Sequence, residues 1–130
     1  MNDRGLRLAL VAAARRLSSL GMNTGKSGNL SGRVEGGFVI TPSGKSYDSL
    51  GGNDMVHIDA HGEARGAHEP SSEWRLHRDI YERFPEAHAV VHTHSPFATT
   101  LSCLRRAAHR GRRRAPCRCR PVSRSSCRLA

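Results

Sequence analysis

Two histidines stand two residues apart in His92-Thr93-His94. In an extended segment, residues i and i+2 project to one face, so both imidazoles are offered to the same point. Two neutral imidazoles so placed can share one metal ion. The same pair also suits two solvated or mutually hydrogen-bonded rings. Glu73 tips the balance toward a metal. It follows Ser71-Ser72 at the start of an expected helix, and one carboxylate with two imidazoles is a zinc-type donor set. An acid in a helix's first turn has a plainer use as well, compensation of the helix dipole. His77, one turn later, reads as a surface or packing residue, and His57, His61, His68 and His88 show no pairing.

Three small, donor-rich pairs come next: Gly28-Asn29, Ser43-Gly44 and Ser71-Ser72. Each falls in an expected loop or helix start, where backbone N–H groups form natural anion sites. One such pair is ordinary turn chemistry. Three of them beside a Glu/His/His set form a more specific constellation.

These residues need elements to position them. A helix is expected over 3–20, because Leu6, Leu10, Ala13, Leu17 and Leu20 recur at spacings of three and four. Asp3 suits its N-cap and Gly21 its stop. A glycine-punctuated segment then runs from Gly25 to Val34. Phe38-Val39-Ile40 reads as a strand entering the turn Thr41-Pro42-Ser43-Gly44. Met55-Val56-His57-Ile58-Asp59 is a second strand, with a hairpin turn at His61-Gly62. A helix over about 72–84 is expected, capped by Ser71 or Ser72 and stopped by Pro85. A third strand spans 87–94, and Ser95-Pro96 opens a further helix. Short strands flanked by helices indicate a layered α/β domain.

The chain's 130 residues suffice for one domain. Its 21 Lys+Arg and 11 Asp+Glu give a formal charge of +10. That charge is local: residues 105–130 hold ten Arg and no Lys, Asp or Glu, so the remainder is neutral. No apolar run reaches the ~20 residues of a membrane span, and no secretory signal is visible, so a cytoplasmic protein is expected. Cys103 is alone outside 105–130, which argues against a disulfide scaffold.

The segments Gly28-Asn29-Leu30-Ser31, Thr41-Pro42-Ser43-Gly44, Pro70-Ser71-Ser72-Glu73 and His92-Thr93-His94-Ser95 resemble, in order and spacing, the class II aldolase/adducin family, on the side of its L-fuculose-phosphate aldolases. The likeness covers about residues 4–104. It implies a three-layer α/β/α domain with a central mixed sheet, assembled as a homotetramer. It implies that Gly28, Asn29, Ser43, Gly44, Ser71 and Ser72 hold a substrate phosphate. His92, His94 and Glu73 would ligate one Zn2+ per subunit, and Glu73 would then swing away as general acid/base. The implied reaction is zinc-dependent aldol cleavage of a ketose 1-phosphate. Glutamate at position 73 leans toward the aldolase branch, since the epimerase branch tends to carry aspartate there. A related lyase of the methylthioribulose-phosphate dehydratase kind and a non-catalytic, adducin-like role are the alternatives, and the retained Glu73, His92 and His94 argue against the second.

The departure from the family is C-terminal. A third histidine ligand is expected several dozen residues after the His-x-His strand, but only His109 follows, within an arginine run. Late tyrosines are absent, since Tyr47 and Tyr81 both lie earlier. Residues 105–130, rich in Arg, Ala, Ser, Cys and Pro, read as a disordered tail whose composition fits GC-rich codons in a shifted frame, leaving a C-terminally truncated domain of impaired activity. Ten arginines could instead contact nucleic-acid phosphates. Without interleaved aromatics or a sequence-reading fold, nucleic acid is not the expected partner.

Overall fold

The computed structural model describes residues 3–23 and 27–104. The expectations for residues 105–130, the possible ligand His109 included, lie outside the described residues. The elements in order are α1 (Asp3–Ser19), β1 (Asn29–Val34), β2 (Gly37–Ile40), β3 (Val56–Asp59), β4 (Ala64–Arg65), α2 (Trp74–Arg83), β5 (Ala89–His92) and α3 (Pro96–Cys103). Two single 3-10 turns, Tyr47–Ser49 and Gly52–Asp54, occupy the connection between β2 and β3. None of these helices is long and apolar enough to cross a membrane.

The five strands form one sheet in the order β4-β3-β2-β1-β5. All four pairings among the described residues are antiparallel, a correction to the expected mixed sheet. The cause is local. Only two residues, Glu35 and Gly36, separate β1 from β2, and a short turn also joins β3 to β4. Connections this short cannot bring strands back in parallel.

Side chains alternate across the sheet and build a core on each face. Toward α1, the strand residues Leu30 and Val39 meet Leu10, Val11 and Ala14, with Tyr47, Leu50 and Met55 closing the cluster. Toward α2, Phe38, Ile40, Val56 and Ile58 pack with Tyr81 and the partly buried Trp74. The layers are therefore helix, sheet and helix, as expected. The buried stripe of α1 runs through Leu10 and Ala14, and Ala13 is exposed. Both three- and four-residue steps from Leu10 fit a helix, and packing selects the four-residue step. Gly21 ends α1 with φ 65°. Its N–H reaches Ser18 O at 3.0 Å and the Met22 N–H reaches Leu17 O at 3.1 Å, the paired bonds of a left-handed helix stop.

Candidate metal centre and anion cleft

The site is assembled at one end of the sheet from β1, the start of α2, the end of β5 and two loops. The loops are stitched together. Pro42 and Pro70 form an isolated antiparallel bridge, in which the Ser43 N–H donates to Glu69 O at 2.9 Å and the Ser71 N–H to Thr41 O at 3.1 Å. The first loop is tied to β1 as well. Thr41 N–H donates to Leu30 O at 3.0 Å, and Thr41 Oγ1 accepts from the Leu30 N–H at 3.2 Å. Tyr47 Oη donates to Gly28 O at 2.7 Å, and burial raises its pKa, which keeps that donor in place. Gly28 has φ 79°, and a Cβ there would collide with the buried Asn23 side chain, so the entry to β1 requires glycine.

The three small-residue pairs thereby reach one place. Gly28, Asn29, Ser43, Gly44, Ser71 and Ser72 line an open cleft of about 290 Å³, together with Glu73 and His94. Among the described residues, no Lys or Arg lines it. The described lining offers an anion hydroxyl and N–H dipoles. Neither expected serine caps α2: Glu73 occupies the cap position without a side-chain bond to the helix, and Ser71 Oγ accepts from the Glu73 N–H at 3.4 Å.

Glu73, His92 and His94 converge. One ligand atom from each lies within 4.8 Å of the others. His92 Nε2 and His94 Nε2 are 2.9 Å apart, and Glu73 Oε2 lies 3.3 Å from His92 Nε2. Strand β5 ends at His92, so His94 meets its partner from just beyond the strand. Donor atoms around a tetrahedral zinc at ~2.0–2.1 Å stand about 3.3 Å from one another. Facing ring nitrogens cannot both keep bare lone pairs toward each other, so either one carries a proton or a cation lies between them. The residues present fit a zinc ion.

The sequence reading missed the structure behind Glu73. Asn29 Nδ2 donates to Glu73 Oε2 at 2.6 Å, and Asn29 Oδ1 meets His77 Nε2. His77 Nδ1 lies 2.6 Å from Ser31 Oγ, which lies 2.7 Å from Tyr81 Oη. His77 is wholly buried. Desolvation, with a smaller push from His92, lowers its pKa to about 4 against an opposing pull from Glu73. A signal was available: Glu73, His77 and Tyr81 are spaced four apart, one stripe of a helix, and the stripe is polar.

Comparison with known proteins supplies the family context. Residues 8–128 match the family described as Class II Aldolase and Adducin N-terminal domain. A 5-methylthioribulose-1-phosphate/5-deoxyribulose-1-phosphate aldolase of Rhodospirillum rubrum is 54% identical over 101 residues, covering 78% of this chain and 46% of that protein. A methylthioribulose-1-phosphate dehydratase of Methylococcus capsulatus is 43% identical over 96 residues, covering 73% of this chain and 47% of that protein. Among solved structures, an L-fuculose 1-phosphate aldolase superposes with a TM-score of 0.74 at 31% identity, covering 78% of this chain and 50% of that one. The chain thus spans about half the length of the curated relatives it matches.

Proposed function

The chain belongs to the class II aldolase and adducin family, and from that premise we propose that its cleft and donor triad serve carbon–carbon cleavage of a ketose 1-phosphate. The observation that carries this reading is the convergence of Glu73, His92 and His94 at the edge of a cleft lined by serines and glycines. His92 and His94 would hold the zinc ion through Nε2 and Glu73 through a carboxylate oxygen. When bound, zinc supplies Lewis-acid polarisation of the substrate ketone. The hydroxyls of Ser43, Ser71 and Ser72 and the backbone around Gly28 and Gly44 would orient the phosphate. Aldol cleavage takes the proton from the C4 hydroxyl, breaks the C3–C4 bond to release an aldehyde, and leaves a carbanion equivalent at C3 that needs a proton. Glu73 would carry protons in these steps as general acid/base. For the intact protein we propose a cytoplasmic homotetramer.

Two relatives act on methylthioribulose 1-phosphate according to their names, one as an aldolase and one as a dehydratase. That shared substrate favours a 5-methylthio- or 5-deoxy-pentulose 1-phosphate over L-fuculose 1-phosphate here. It also gives the second reading, loss of water from the same sugar phosphate. The products separate the two, because only aldol cleavage releases dihydroxyacetone phosphate. The protein is therefore assayed for zinc content and for dihydroxyacetone phosphate from each ketose phosphate. We expect bound zinc, with His92→Ala weakening it at least ~100-fold, since ligand loss should exceed the 10–100-fold cost of losing an outer-shell partner. Zinc affinity equal in wild type and His92→Ala would overturn the metal assignment. Water loss without triose phosphate would replace aldolase by dehydratase.

A further inference from the structure

We infer that His77 is a positioning residue that acts through Asn29 to aim the Glu73 carboxylate at the histidine pair. The inference deepens the function proposed above and rests on Glu73 being a metal ligand there. It follows from hydrogen-bond polarity along one buried chain of side chains.

Only an N–H can face a carboxylate, so the Asn29 atom 2.6 Å from Glu73 Oε2 is the amide nitrogen. The Asn29 oxygen must then face His77, and an oxygen accepts only from a protonated ring nitrogen. His77 therefore carries its hydrogen on Nε2 and leaves Nδ1 bare. The bare Nδ1 accepts from the Ser31 hydroxyl at 2.6 Å, and the Ser31 oxygen in turn accepts from Tyr81 Oη at 2.7 Å. Every link runs in one direction only. Reversing the Asn29 amide would set oxygen against carboxylate at one end and N–H against N–H at the other.

The scaffold enforces this order. Asn29 and Ser31 are two apart on β1 and share the face that α2 covers, while His77 lies between them with no exposed surface. Water cannot replace a link without opening the layer. Two consequences follow for the site. Glu73 receives a fixed donor on Oε2, the oxygen that also faces His92, so its carboxylate is parked toward the metal position before any ion arrives. Asn29 has both ends of its amide engaged inside the protein. It retains a single Nδ2 hydrogen for a ligand in the cleft, so its service to phosphate is secondary to its service to Glu73.

The test uses the full 130-residue chain labelled with 15N-histidine. At pH 7 the His77 ring, assigned by its absence in His77→Gln, should show the hydrogen on Nε2 and none on Nδ1. A hydrogen on Nδ1 overturns the inference. Zinc affinity is then measured by competition with a chromogenic chelator. His77→Leu should bind zinc 10–100-fold more weakly, the usual effect of losing an outer-shell partner. His77→Gln, which keeps an N–H donor for Asn29, should recover most of that loss. Equal affinity in wild type and His77→Leu, or equal losses in both variants, overturns the positioning role. If His77→Leu does not fold, Ser31→Ala releases the tautomer instead, and its expected loss is smaller and in the same direction; unchanged affinity again refutes the role. A wild-type chain that binds no zinc at all defeats the metal reading itself, whereas one that binds zinc indifferently to these substitutions defeats only the relay.

Discussion

The two faces of the sheet are built on different rules. The face under α1 is apolar where it packs, and its polar contacts are arginines reaching backbone carbonyls. Arg15 donates to Leu50 O at 2.9 Å and Tyr47 O at 3.3 Å, and Arg7 to Met55 O at 2.7 Å. Guanidinium groups stay charged at any pH of interest, so these anchors do not titrate. The titrating group in the same connection is Asp54, which takes the Gly51 N–H, Lys45 and His68 on its carboxylate. The face under α2 is apolar over β2 and β3, with Val90 of β5 packed at its margin. Over β1 it buries Ser31, Asn29 and His77, which belong to the chain of bonds leading to Glu73. One face supplies stability. The other gives up apolar burial to hold polar groups in fixed positions, and it acquires a dependence on pH.

Truncation under α1 should cost most and touch the site least. Leu10→Ala should lower unfolding free energy by ~2–5 kcal/mol while leaving zinc affinity of the folded protein unchanged. Urea titration and chelator competition on the same sample check both halves, and a matching drop in affinity would mean the two faces are not independent. Acid should act on the other face. Burial holds His77 near 4, and unfolding returns it to its ordinary value of about 6.5. Between those values the unfolded chain binds the extra proton. Stability is thus complete above pH 6.5 and declines as pH falls toward 4, by up to about 3 kcal/mol. Urea midpoints across that range should slope in wild type and flatten in His77→Gln. Asp54 and Asp59, whose carboxyls are held below their usual range by hydrogen bonds, contribute below that window and leave it to His77. The smallest effect should come from Arg15→Ala, about 1 kcal/mol, because water can reach the freed carbonyls. A slope with pH appearing in that variant would contradict the division between the faces.

How far the sequence discloses each face follows from the same division. The α1 side is written in apolar periodicity, and Leu6, Leu10 and Leu17 announce it, while Ala13 and Leu20, both exposed, are misplaced. The β2 and β3 strands were legible for the same reason. Strand β1 was not. Gly32 interrupts its alternation, and its α2-facing positions are Asn29 and Ser31, residues that read as loop. Burial of polar groups requires their partners to be in place, and those partners are supplied by His77 and Tyr81, some 46 to 50 residues away. Spacing arguments see neighbours, not such pairings. The triad itself was legible because His-x-His is local and Glu73 opens a recognisable helix. The grouping of the three small-residue pairs into one cleft needed the bridge at Pro42 and Pro70, which no local pattern encodes.

That bridge has a kinetic meaning. Pro42 and Pro70 face each other as a pair that needs no N–H of its own, and the bonds that hold it come from the flanking donors Ser43 and Ser71. The two loops are fastened by this latch and should open together or not at all. Amide hydrogen exchange at Ser43 and Ser71 should accordingly share one opening rate, even though the residues lie in separate loops. An arriving anion would find both loops already gathered, with little entropy left to lose on closing around it.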